Sequence, residues 1–466
     1  MKPYTKILNM LSKDVISIND LKITWVEVAW VFFLSFVFIF YFLVSRSFWL
    51  FNVLIIPAVL IGHYKNNRLT QPQQKFLLSL TIAVILTYSL RIAWTGYKII
   101  SQPPEWDFHL YWIYGQAGAR LLNPYEPNIL LQFAQTLNPS RDLLNELYFF
   151  QFPPLIFLFL PLGWFEINTA AFVWCIFLLI VLFLDIILLW SIFYSRTDYK
   201  SLLLAASLTL VLEPTFYTLW KTQINFIVLL AFLLYWQRRK SITGGIWLGI
   251  GMIVKPILLI VLIYPVLRRH WRSLLGVAIA IIVSSAITIM TFGWGMFSNY
   301  FVTNPIVLKM PNNLYTEMIN QSLFATILRL TNFDFSTGSP YLQPMFIVAA
   351  LALTGITSLL VFPRKDEEEH YADFALALTI IFALLLFPKT LSHYAVLLIA
   401  PILVVWKYHN GIGISSWFIL AFITVEYVLV SITGDFVFIS ILIFWLFVAG
   451  ICVKLVLSRP QKKITS

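Results

Sequence analysis

Charge and cysteine are both scarce in this chain. Asp, Glu, Lys and Arg make up 11% of its 466 residues, whereas 60% are hydrophobic; a soluble domain carries charge on about a quarter of its residues. A soluble globular protein is thereby excluded. The two cysteines, Cys175 and Cys452, each lie inside an apolar run. They offer neither a disulfide framework nor a metal-ligand spacing, and read as small apolar side chains in lipid-embedded helices. Several signatures are also missing. No two aspartates stand at i, i+2, so there is no Asp-x-Asp pair for a metal-bound nucleotide sugar. There is no phosphate loop ending in Gly-Lys-Ser/Thr, no His-Glu-x-x-His and no Gly-x-Ser-x-Gly elbow. Chemistry driven by ATP or a nucleotide sugar therefore has no visible point of entry.

What the chain has instead is apolar runs. They fall near 28–45, 47–63, 76–97, 168–194, 201–220, 222–237, 242–254, 256–267, 273–292, 343–362, 373–388, 391–407, 413–433 and 436–457, with a shorter one near 153–165. This pattern predicts an all-α polytopic membrane protein with about 12–14 transmembrane helices. Runs under about 17 residues are too short to cross a hydrocarbon core alone. Short or Pro-broken helices are tolerated where they line a water-filled cavity.

The formal charge of +11 sits largely in short clusters between the runs, with no contiguous basic face of the kind nucleic acid requires. Lys65, Arg68 and Lys75, then Arg238, Arg239 and Lys240, then Arg268, Arg269, His270 and Arg272, and finally Lys454, Arg459, Lys462 and Lys463 can all share the cytoplasmic side. The first 27 residues lack the pattern of a cleavable signal, so the first span is expected to persist. Segments 98–152, 293–342 and 387–392 then face outward, as do the helix tips near Gln223 and Lys255. If Arg196 and Lys200 are also cytoplasmic, segment 153–165 is re-entrant or interfacial. By this assignment His63, His270, His370 and His409 lie inside, and only His109 and His393 lie outside.

Outward polar groups are thus the candidates for chemistry. Asp107 stands in the stretch PPEWDFHLY (103–111), crowded by Trp106, Phe108, Tyr111 and Trp112 and followed by His109. Such an acid fits a general base that takes a proton from an acceptor hydroxyl attacking a sugar carbon. It fits as well the N-cap of a helix starting near Phe108. Lys255 precedes Pro256 in mid-run, where an ammonium costs roughly 2.5–3.5 kcal/mol on insertion scales. A lipid phosphate is a suitable partner; a snorkelling lysine is the other reading. Gln223 and Asn225, after Lys221, open a short segment whose free N–H groups favour an anion and whose amides suit sugar hydroxyls, unless they simply cap it. Asn320 and Gln321, before Ser322 and Arg329, make a similar cluster with the same alternative. Lys389 and His393 lie at another outer mouth, 387–394. Stretches 108–122 and 128–147 have the spacing of helices lying along the interface, with a turn at Asn123-Pro124-Tyr125. Arg91, Asp185, Glu213 and Glu426 lie within or at the ends of runs and are expected to pair inside the bundle.

Taken in order, Asp107-Phe108, the stretch Ala119 to Tyr125, Phe152-Pro153-Pro154-Leu155, Gln223-Ile224-Asn225, Lys255-Pro256 and Ser392-His393-Tyr394 resemble glycosyltransferase family 87. These are bacterial polyprenol-phosphate-mannose-dependent mannosyltransferases. The chain departs from the family at Ala119-Arg120, where a glycine is expected, and at Thr222, which replaces a glycine before the Gln. Segment 1–63 also precedes the expected first core helix. The resemblance implies a type-C glycosyltransferase fold with a helical first outer loop. It also implies that Asp107 matches the catalytic aspartate and His393 a functionally important histidine.

The expected organisation is an N-terminal amphiphilic segment and extra transmembrane hairpin over 1–75, a catalytic transmembrane core over 76–292 with outer loop 98–152, and a C-terminal transmembrane region over 293–466 with outer loop 293–342. The expected activity is inverting transfer of a monosaccharide, mannose by resemblance, from a polyprenyl-phosphate donor to a lipid or glycan acceptor. It would run at the extracytoplasmic side of a bacterial plasma membrane without cofactor, metal or nucleic acid. Asp107 and His393 are the expected catalytic residues. Lys255, Gln223, Asn225, His109, Tyr111, Tyr125, Asn320, Gln321 and Lys389 are the expected substrate contacts. The alternative is a transporter or flippase for a lipid-linked sugar, which broken helices also suit but which should show internal repeats and polar groups reachable from both sides.

Overall fold

The structure, a computed structural model, describes residues 14–18, 21–45, 48–63, 69–103, 107–137, 151–194, 198–303, 315–336, 339–364, 367–432 and 436–457. Trp106, Lys65, Arg68, Arg196, Arg459, Lys462, Lys463 and the stretch 138–147 lie outside the described residues. In hydrocarbon every backbone N–H and C=O needs a partner from its own segment, so apolar runs become helices. In chain order the helices used below are α1 (Trp25–Ser45), α2 (Phe48–His63), α3 (Gln71–Ser101), α4 (Asp107–Ala119), α5 (Ile167–Phe193), α6 (Tyr199–Val211), α7 (Glu213–Trp220), α8 (Asn225–Gln237), α9 (Ile242–Val254), α10 (Trp271–Phe292), α11 (Leu323–Leu330), α12 (Pro344–Val361), α13 (Glu369–Leu386), α14 (Ile399–Tyr408), α15 (Ser416–Ser431) and α16 (Phe436–Leu457). One short antiparallel pair, Asp14–Ile18 with Leu21–Thr24, departs from an otherwise helical chain; its β-branched Val15, Ile16, Ile18 and Ile23 favour extended backbone.

Among the described residues seven helices are long and apolar enough to cross a membrane: α1, α3, α5, α10, α12, α13 and α16. The pair α6–α7, bent by 60°, makes an eighth if it is one span. Seven further apolar stretches of 10–17 residues, α8, α9 and α15 among them, account for the remaining predicted runs. Phe32 and Phe36 of α1, Leu54 of α2, Met290 of α10 and Leu351 of α12 are exposed, as a lipid-facing surface requires. By contrast α13 is buried on every side from Tyr371 to Leu385. A helix that is apolar all round belongs at the centre of the bundle.

Small residues set the closest helix contact. A Cβ on Gly245 would lie 1.8 Å from the Ser273 carbonyl oxygen, and one on Gly276 would lie 2.1 Å from that of Ile242. The α9 and α10 backbones therefore touch, as membrane helices do where small residues face each other. Gly245→Ala is expected to force them apart at a cost of about 1–3 kcal/mol. This would appear as a lower melting temperature of the detergent-solubilised protein; an unchanged melt would mean that the backbones separate freely.

Two hairpins position the polar groups. The arms α8 and α9 have 13 residues each, about 20 Å, and are joined by the basic turn 238–241. Equal arms return the chain to its starting level, so Lys255 comes back beside Asn225. The second hairpin runs the other way: α13 leads to the turn 387–391, and the 3₁₀ stretch Ser392–Leu398 with α14 leads back. Its two ends close on the basic turn of the first. There Asp373 accepts hydrogen bonds from Trp236 Nε1 (3.0 Å), Arg239 (2.8 Å) and Tyr408 Oη (2.9 Å). Polar groups thus gather at two ends of α8, about 20 Å apart.

Of the charged residues within runs, Arg91 and Glu213 pair with each other, and Glu426 accepts from Ser440. Asp185 is fully buried, and among the described residues neither carboxyl oxygen has a hydrogen-bond partner.

Candidate active site

The first polar end is assembled from four separate parts of the chain. From α3 the chain passes to α4, which begins at Asp107, so the carboxyl stands in a first turn, where the helix dipole favours a negative group. Segment 153–164 doubles back along α4. Trp112 Nε1 donates to the Phe165 carbonyl (3.0 Å) and Gln116 to that of Gly163 (3.2 Å). A Cβ on Gly163 would lie 2.1 Å from the Gly115 oxygen. The segment alternates 3₁₀ and α turns and lies against α4.

The second part is the sharp turn after α7. Thr222 has φ +53°, a left-handed conformation that a β-branched residue adopts only under constraint and that glycine adopts freely. Trp174 Nε1 donates to the Thr222 carbonyl (3.0 Å) and holds the turn. This is the position at which the sequence substitutes threonine for an expected glycine.

Gln223 and Lys255 link these parts into one network. Lys255, 8% exposed, donates to Asn225 Oδ1 (2.5 Å) and Gln223 Oε1 (3.2 Å). Its ammonium sits 3.7 Å from the centre of the Tyr394 ring. Tyr111 Oη also reaches Gln223 Oε1, at 3.4 Å, and Gln223 lies near enough to Asp107 to favour its charged form. Asn225 donates to Thr218 Oγ1 (3.3 Å) and to the His393 carbonyl (3.2 Å). His393 is buried, and among the described residues its Nε2 has no hydrogen-bond partner.

Asp107 is half-buried and retains partial solvent access. Burial raises its pKa, against the opposing pull of Gln223 and of the Lys221, Lys255 and Lys389 ammoniums. The same three cations act on His393. Among the described residues, then, the Asp107 carboxyl is within electrostatic reach of three lysines, a cluster that is net positive. The cluster can seat an anionic group and accept a proton beside it. Among the described residues no three carboxylate, imidazole or thiol side chains stand together as a metal ion would need.

The structure therefore brings together Asp107, Tyr111, Gln223, Asn225, Lys255, Lys389 and His393. Other expected contacts are placed differently. His109 is two residues after Asp107 on α4, and side chains at i and i+2 of a helix do not face each other. Tyr125 donates to the Gln151 carbonyl and packs edge-on against Tyr300 at 5.5 Å. Asn320 and Gln321 bind backbone: Asn320 Nδ2 donates to the Pro388 carbonyl (3.0 Å) and Gln321 Oε1 accepts from Phe438 N (2.8 Å). Ser322 caps α11 by accepting from Ala325 N (3.0 Å). These residues brace the 387–391 turn, so they support Lys389 and His393 from behind.

Lys221, Thr218 and Tyr394 join the site without having been singled out as contacts. Lys221 was adjacent to a recognised pair; a ring beneath an ammonium has no sequence signal. Another brace is the Arg91–Glu213 pair, bidentate at 2.9 and 2.7 Å, with the guanidinium 3.5 Å above the Phe216 ring. It ties α3 to the bend where α7 begins, and α7 ends at Lys221. Removing one partner of a buried pair costs about 3–5 kcal/mol. Glu213→Gln is thus expected to lower the melting temperature substantially, and a melt like that of wild type would show that the bend is held by other contacts.

The sequence profile of Glycosyltransferase family 87 matches residues 150–388. Gln223, Asn225 and Lys255 lie within that range; Asp107, Lys389 and His393 lie outside it. No curated protein and no solved structure matches the chain.

Proposed function

The chain belongs to glycosyltransferase family 87, and on that premise we propose that it moves a monosaccharide, mannose, from a polyprenyl-phosphate donor to a hydroxyl of a lipid or glycan acceptor. The observation that carries this reading is the buried Lys255 ammonium, held by Asn225 and Gln223 over the Tyr394 ring, within electrostatic reach of the Asp107 carboxyl. The donor phosphate would sit among Lys221, Lys255 and Lys389. Asn225 and Gln223 hold the Lys255 ammonium in place. The acceptor oxygen attacks the anomeric carbon from the Asp107 side. A new C–O bond forms, the bond to the phosphate oxygen breaks, and the acceptor proton passes to Asp107. Attack opposite the leaving group inverts the anomeric centre. The phosphate leaves carrying the electron pair, its charge balanced by the lysines. His393 Nε2, buried and unpartnered among the described residues, is a ready hydrogen-bond partner for the phosphate or the acceptor. Residues 76–292 would form the catalytic core, and the hollow would open to the extracytoplasmic side of a bacterial plasma membrane.

Membranes containing the protein are expected to consume labelled polyprenyl-phosphate-mannose and to leave nucleotide-linked mannose untouched. Consumption of the nucleotide sugar alone would overturn the assignment. A pH profile adds a second check. The working form of Asp107 is the carboxylate, and burial raises its pKa. The kcat/KM is therefore expected to fall with decreasing pH along a limb above the ordinary carboxylate value of about 4. A flat acid side down to that value would count against Asp107 as the base.

A further inference from the structure

The opposite polar end holds a cavity of about 1060 Å³ between the basic turn 238–243, Arg272 and residues 367–369. The proposed reaction makes no use of it. Arg238, Arg239, Lys240 and Arg272 line one side and Glu367, Glu368 and Glu369 the other. Of these acids Glu367 is committed to Arg268 and to Arg364 N (3.1 Å), and the exposed Glu368 lies 3.1 Å from His370, so the basic side chains still outnumber the acids. Arg239 is paired with Asp373, yet its Nε is buried and has no hydrogen-bond partner among the described residues. No ion pair among the described residues involves Arg238, Lys240 or Arg272. The positive end of α9 opens at the same place, with Ser241 as its cap. His270, nearby, is held down to about 4 by burial and by the charges of Arg268, Lys240 and Arg239, which reflects a positive local field.

What borders the cavity identifies the occupant. From Arg272 the outer face of α10 continues through Leu275 and Ile282, both more than half exposed, beside exposed Trp271. Tryptophan at such a level marks a membrane–water boundary. A ligand seated here has cations at its head and an apolar helix face along its length. We infer that this cavity binds the phosphodiester headgroup of an anionic membrane phospholipid, with Arg238, Lys240 and Arg272 as its contacts and the acyl chains along α10. Basic pockets between membrane helices select such headgroups by charge and by bidentate hydrogen bonding. This site lies at the far end of α8 from Asn225, about 20 Å away, and stands whether or not the donor assignment holds.

The test uses the purified full chain in a zwitterionic detergent and reads the melting temperature against added phosphatidylglycerol, phosphatidylcholine or glycerol 3-phosphate. Phosphatidylglycerol is expected to raise the melt and phosphatidylcholine to leave it unchanged. The triple variant R238Q/K240Q/R272Q should lose that rise, and Lys255→Ala should keep it, which separates this site from the lysine hollow. If the triple variant does not fold, the single variants carry the test, each weakening the apparent lipid affinity roughly fivefold. An equal rise with glycerol 3-phosphate would support the phosphate site and assign it a soluble ligand. A phosphatidylglycerol response that survives the arginine and lysine substitutions, or is matched by phosphatidylcholine, overturns the proposal.

Discussion

Asp107→Asn is expected to lower kcat for sugar transfer by roughly 10²–10⁴-fold, the usual contribution of a positioned general base, while the donor KM stays near that of wild type. Asparagine preserves the shape and can still meet Gln223, but it cannot take a proton. It also removes a negative charge that acts on Lys255, so donor phosphate should bind at least as well as before. That combination separates a base from a structural cap. Asparagine caps a helix about as well as aspartate, so a purely structural cap would leave both the melting temperature and turnover intact. Near-normal turnover in the variant would remove Asp107 from the mechanism.

Lys255→Met should act on the other term. The ammonium is buried, meets two amide oxygens and lies over the Tyr394 ring, so it is preorganised for an anion. A hydrogen bond to a charged group contributes about 1.5–3 kcal/mol, which corresponds to a donor KM higher by roughly 10- to 100-fold. The kcat at saturating donor should change less. Methionine fills much the same volume, and the melting temperature checks that the hairpin still closes. A donor KM equal to that of wild type would move the phosphate away from Lys255.

The hydrophobic plan was legible because lipid solvent imposes a simple rule, long apolar runs becoming helices. The shared level of Asn225 and Lys255 was also legible, since two 13-residue arms about a basic turn return to the same height. The unreadable parts were those fixed by tertiary contact alone. Arg91 and Glu213 were both recognisable as costly charges, but their partnership spans 122 residues and no local pattern encodes it. His109 stands apart from Asp107 for a local reason: its two-residue spacing on α4 turns it to another face. Asn320 and Gln321 read as sugar ligands by composition. Their amides instead meet backbone, that of Asn320 at Pro388 and that of Gln321 at Met318 and Phe438, segments that the sequence offered no way to place beside them.

The 13-residue arms α8 and α9 have an electrical consequence. They separate the lysine hollow from the basic turn by about 20 Å, against a hydrocarbon thickness of about 30 Å. If water fills the hollow, it takes the voltage of the solution it meets, and the whole membrane potential then drops across this thin septum. The field there is about one and a half times that in the surrounding bilayer. An anionic headgroup entering from the wet side crosses little of the drop, so energising the membrane, worth about 2.3 kcal/mol per charge at 100 mV, should leave donor capture almost unaffected.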